Sequence, residues 1–98
     1  MPLRYMTDAQ LSGLARELRE KGIDCQTIHM LMKGHEDSRI SIDDSEILKF
    51  MMDQKGALTL ITLDKGLARY CATFGVPCIR VQNVVADYIN GRTHTGAP

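Results

Sequence analysis

Lys55-Gly56-Ala57-Leu58-Thr59-Leu60-Ile61-Thr62-Leu63-Asp64-Lys65-Gly66-Leu67-Ala68 carries the end of one helical pattern, a strand and the start of the next helix without a break. Glycine just after a helix takes up the left-handed conformation that ends it, and a lysine in the last turn suits the negative end of the helix dipole. The run Leu58 to Leu63 is apolar and partly β-branched, as a strand covered on both faces must be. The same stop recurs at Lys21-Gly22 and, with a different partner, at Phe74-Gly75, each time followed within a residue or two by another apolar run. The punctuation therefore reads helix, glycine, strand.

Working outward, Leu11, Leu14, Ala15 and Leu18 fall at helical spacing and predict a helix over 9–21. Further helices are predicted over 44–55 (Ile47, Leu48, Met51, Met52), 65–74 (Leu67, Ala68, Cys71, Ala72) and 84–90 (Val84, Val85, Tyr88, Ile89). Strands are predicted over Leu3 to Thr7, Ile23 to Ile28, Leu58 to Leu63 and Cys78 to Val81. Alternating strands and helices with tight turns imply a parallel sheet with right-handed crossovers and helices on both faces. The expected fold is a doubly wound α/β domain, a four-stranded sheet of order 2-1-3-4 over residues 1–90, with 91–98 a flexible tail. The stretch from His29 to Ile42 reads as irregular and long for a compact domain.

The 98 residues suit one domain, and a composition of 44% hydrophobic and 24% charged residues is that of a globular chain. No apolar stretch is long enough to span a bilayer and no secretory leader is visible, so the expectation is a soluble intracellular protein, cytoplasmic or nuclear, without a membrane partner. Twelve Lys+Arg balance twelve Asp+Glu, which argues against a bulk polyanion binder but not against a local patch. Cys25, Cys71 and Cys78 form no C-x-x-C pair and read as small buried hydrophobes.

In an open parallel sheet, ligands bind beyond the carboxyl ends of the strands, where the strand order reverses. Asp8 follows strand 1 and Asp64 follows strand 3, neighbours in the order 2-1-3-4; Asp43, Asp44 and Glu46 open the helix that starts at the same edge. Each acid has a plainer explanation. Asp is among the best N-caps, and Asp43-Asp44-Ser45-Glu46 spells a capping box in which Glu46 reaches back to Asp43. A crowd of carboxylates either raises its own pKa values or holds a cation. With no thiolate or imidazole in the set, that cation would be Mg²⁺ or Mn²⁺, suited to phosphodiester hydrolysis by an activated water.

The strings Asp8-x-x-Leu11-x-x-Leu14-Ala15-x-x-Leu18-Arg19-x-x-Gly22-x-Asp24, Asp44-Ser45-Glu46-Ile47-Leu48 and Thr62-x-Asp64-x-x-Leu67 resemble, in this order and over about residues 3 to 82, the compact PIN-like ribonuclease domains of toxin-antitoxin systems and exoribonuclease-like proteins. The resemblance implies hydrolysis of single-stranded RNA, with Asp8, Asp44 and Asp64 as ligands of Mg²⁺ or Mn²⁺. Glu46 would be a further acid and Thr62 would orient the site. An antitoxin or other protein partner and a homodimer are also compatible with it. Arg16, Lys65 and Arg69 would meet RNA phosphates, although charges on helices are commonly a solvated face.

Gly66 stands where many such sites carry another acid. This motivates an alternative, a PIN-like fold without turnover that serves as an interaction or assembly module. A phosphoacceptor receiver would need an acid pair after strand 1 and a fifth strand. A haloacid-dehalogenase-type phosphatase would need two aspartates two apart, where Asp8-Ala9-Gln10 has one. Gly-rich phosphate cradles are absent.

Overall fold

The computed structural model describes residues 4–37 and 39–81. Its elements are β1 (Arg4–Thr7), a 3-10 turn (Ala9–Leu11), α1 (Ser12–Glu20), β2 (Asp24–Thr27), α2 (Ile28–Lys33), α3 (Asp44–Asp53), β3 (Leu58–Thr62), α4 (Lys65–Phe74) and β4 (Cys78–Arg80). All strand pairs are parallel and the order is β2-β1-β3-β4, as the sequence predicts. The helix predicted over 84–90 and the tail over 91–98 lie outside the described residues, and no helix among the described residues is long and apolar enough to cross a membrane.

Strand residues alternate between faces, so the register sorts the core into two layers. Met6, Leu58 and Leu60 share one face and meet Ile47, Leu48 and Met51 of α3 and Leu67 and Cys71 of α4. Thr7 is paired with Thr27 and Ile61 on the other face. There α1, packed on β2 and β1, brings buried Ala15 toward Cys25, with Leu11 of the preceding turn also buried. Each such side chain withdrawn from water contributes about 1.5–3 kcal/mol before entropy is counted. Two apolar layers on one sheet thus hold its carboxyl edge in place.

The segment predicted as irregular contains α2, which the sequence reading missed. Strand β2 stops at Thr27, and the Thr27 hydroxyl caps the new helix by accepting the Met30 amide at 3.2 Å. Gly34 ends it with φ of 81°. Lys33-Gly34 is the same Lys-Gly stop as the others, but a six-residue helix is too short to show periodicity. Met52, on the apolar face predicted for the helix over 44–55, is about half exposed, at 53%.

Cys25 and Cys71 are buried and Cys78 is half-buried, all as free thiols. Burial pushes all three thiols up, that of Cys78 to about 12. The thiolate is the nucleophile and metal ligand, so none of the three is set up for either task at neutral pH.

Gly34→Ala tests the left-handed stop. No atom lies within 4 Å of an added Cβ, so the cost is backbone strain alone, and denaturant melts should show a loss of about 1 kcal/mol.

Candidate functional site

Pairing of β1 with β3 sets Thr7 opposite Ile61, and the ladder continues one step further through the Asp8 amide, which donates to the Ile61 carbonyl at 3.2 Å. Asp8 therefore leaves the sheet beside Thr62. Its Oδ2 accepts two hydrogen bonds, from the Thr62 hydroxyl at 2.8 Å and from the Leu63 amide at 2.7 Å. The same hydroxyl accepts the Asp64 amide at 3.0 Å. One fully buried threonine thus ties together the two acids that end neighbouring strands.

Asp64 is the N-cap of α4, its Oδ1 accepting the amides of Gly66 at 2.8 Å and Leu67 at 3.1 Å. The capping explanation fails for the other acids. Neither Asp8 nor Asp43 makes a side-chain cap bond, and Glu46 does not reach back to Asp43. Glu46 instead pairs with Lys33 across the gap between α3 and α2, Nζ to Oε2 3.4 Å, and is not among the residues lining the cleft. The capping box predicted over Asp43–Glu46 is not formed. Turned by the helix toward Lys33, Glu46 leaves Asp44 as the acid α3 presents to the site.

Asp8, Asp44 and Asp64 line one open cleft of about 460 Å³ together with Ile28, Ile42 and Ile47. The Asp44 carboxyl is held above its ordinary value, first by partial burial and then by the charges of Asp64, Asp43 and Asp8. Like charges thus act on one another across the cleft. His29, on the first turn of α2, also lines it. Its Nε2 lies 2.7 Å from the Ile40 carbonyl, and Nδ1 is buried without a partner among the described residues. The sequence contained no signal for this residue beyond its place on the segment between β2 and α3.

Among the described residues, no three or more His, Cys, Asp or Glu side chains come together in a group that could hold a metal ion between them. The donor chemistry nevertheless fits a hydrated hard cation. Among the described residues, Asp8 Oδ1, Asp64 Oδ2 and both oxygens of Asp44 accept no hydrogen bond, while the bonded oxygens of Asp8 and Asp64 fix the direction of the free ones. Magnesium keeps several waters and is commonly held by one or two carboxylates, so a closed cage is not required. Thr62 is hydrogen-bonded to Asp8 and does not line the cleft, the place from which an outer partner would orient a carboxylate ligand.

The three cations predicted to meet RNA are exposed and line no part of the cleft. Lys65 and Arg69 lie in the first half of α4, which starts at the carboxyl edge beside Asp64. Arg16 lies on α1, across the sheet from α3 and α4, and is not brought together with them. Arg19, by contrast, is engaged structurally, donating to the Cys25 carbonyl at 2.8 Å.

Thr62→Val keeps the shape of the buried side chain and removes the hydroxyl. Leaving Asp8 and the Asp64 amide each short of a partner should cost about 1–3 kcal/mol in urea melts, and Thr62→Ser should recover most of it.

No protein-family model, curated protein or solved structure matches this chain.

Proposed function

We propose that the chain is a metal-dependent ribonuclease of PIN-like type that hydrolyses phosphodiester bonds in single-stranded RNA. The observation that carries the reading is the convergence of Asp8, Asp44 and Asp64, from three separate segments, on one cleft at the carboxyl edge of a parallel sheet. That edge, at the reversal of strand order, is where such sheets bind ligands. Asp8, at the start of the 3-10 turn, makes no side-chain cap bond, and Asp44 lies inside the first turn of α3, past its N-cap, so neither is held there by a capping hydrogen bond.

In this reading Asp8, Asp44 and Asp64 hold Mg²⁺ or Mn²⁺, with Thr62 orienting Asp8. When bound, such an ion activates water at neutral pH and neutralises charge developing on a phosphoryl group. The chain's own contribution is positional. Asp8 and Asp64 direct their free oxygens from rigid strand ends, and Asp44 brings a third carboxylate from the start of α3. Lys65 and Arg69 supply positive charge on the flank of the site for the phosphates of a strand leaving it. Arg16, Glu46 and a second metal are not needed for this arrangement.

The alternative, an interaction module without turnover, would be favoured by an Asp8 neutralised by Arg16 or Lys65 with no open space beside it. Among the described residues Asp8 is bound by Thr62 and Leu63 and lines the cleft, which supports the hydrolytic reading.

Cleavage of single-stranded RNA in Mg²⁺ or Mn²⁺ tests the proposal. Asp64→Asn retains a side-chain oxygen for the helix cap but loses the charge, and should cut activity by more than the roughly 10–100-fold that loss of an outer ligand partner costs. Undiminished cleavage by that variant, or no metal-stimulated cleavage by the wild type, would count against it.

A further inference from the structure

The strand order lays out the cleft along the sheet edge. β2 leads into Ile28 and His29, β1 into Asp8 and β3 into Asp64. The acids at the ends of β1 and β3 therefore have beside them, on the β2 side, a wall of a different kind, made by Ile28, His29 and, from the approach to α3, Ile42. Ile28 belongs to the core and Ile42 packs against it, so this wall is the margin of the core open to the cleft, and carboxylates with a hydrated ion do not cover it. A ligand that needs both is one that joins a phosphate to a flat apolar ring.

His29 carries the one aromatic ring among the residues that line this cleft. The ring is held by its edge: a carbonyl oxygen can only accept, so Nε2–H donates to Ile40 at 2.7 Å, while the backbone of His29 is fixed in α2 behind the Thr27 cap. The ring is thereby fixed in orientation, half-buried with Nδ1 enclosed, and the part of His29 that is not buried lines the cleft. Single-stranded bases are recognised by stacking on aromatic faces, His included, whereas bases in a duplex are already stacked and paired. A cleft of about 460 Å³ lies toward the small end of small-ligand sites, about 300–1,000 Å³, enough for one nucleotide and not for a duplex.

We infer that the β2 side of the cleft receives one unstacked nucleobase against the ring of His29, seating the neighbouring phosphate at Asp8, Asp44 and Asp64. This rests on the RNA-hydrolase reading above and adds to it a base-binding subsite and the residue that forms it.

The test measures binding in Mg²⁺ of two probes, a non-cleavable 2′-O-methyl single strand and the same strand without bases, to the wild type, His29→Gln and His29→Phe. Gln keeps a donor for the Ile40 carbonyl and removes the ring; Phe keeps a ring and removes the donor. The wild type should prefer the intact strand about tenfold, His29→Gln should lose that preference, and His29→Phe should retain most of it. Thermal melting of each variant alongside separates loss of stacking from loss of fold. A folded His29→Gln that keeps the full preference overturns the subsite. So does a folded His29→Phe that loses it, because the hydrogen bond and not the ring would then be responsible. Mg²⁺-dependent binding without base preference in the wild type overturns the subsite and leaves the hydrolase reading standing, whereas failure to bind either strand overturns both.

Discussion

The side-by-side pairing of β1 and β3 is the constraint on which everything at the carboxyl edge depends. Chain order would put β2 next to β3; the crossover past β1 brings together instead the ends of two strands that are far apart in sequence. Once Thr7 is opposite Ile61, the next residues, Asp8 and Thr62, have to meet. The hydroxyl of Thr62 then satisfies Asp8 on one side and the Asp64 amide on the other. A one-residue slip would send Asp8 to the opposite face of the sheet and dissolve the arrangement, and the buried Met6–Leu60 pair on the core face guards against it.

Electrostatics gives the cleft its character. Hydrogen bonds from Thr62, Leu63, Gly66 and Leu67 support the charges of Asp8 and Asp64, but Asp44 has the partial burial and the repulsion without such relief. The balance of twelve cationic and twelve anionic residues takes on a different meaning in this light. Acids gathered at one cleft leave the remaining surface with a modest positive excess, so overall neutrality does not oppose a polyanionic substrate.

Much of this was legible in the sequence because glycine stops and apolar periodicity are local signals. The helices over Asp44–Asp53 and Lys65–Phe74 and the strand over Leu58–Thr62 follow from them, and the strand order is the usual winding of such an alternating chain. Helix α2 does not follow from them, because its six residues are fixed by a threonine cap and a terminal glycine with no repeating face to read. Asp8, Asp43 and Asp64 look alike as helix caps in the sequence, and only Asp64 makes a capping hydrogen bond with its side chain. What separates them is tertiary: Asp8 is captured by a strand more than fifty residues away, with a sequence separation of 54 to Thr62. Glu46 opens the helix at the acidic edge and is a further acid by the resemblance, but its direction is decided by Lys33 on α2, a helix too short to read from the sequence.

The proposed hydrolysis requires the three carboxylates to share a cation. Anomalous difference density from a crystal soaked in Mn²⁺ addresses it without any assumption about substrate. A peak is expected in the cleft within ligand distance of Asp8 and Asp64, on the side facing Asp44. A soaked crystal with manganese at other acids and none in this cleft would contradict it.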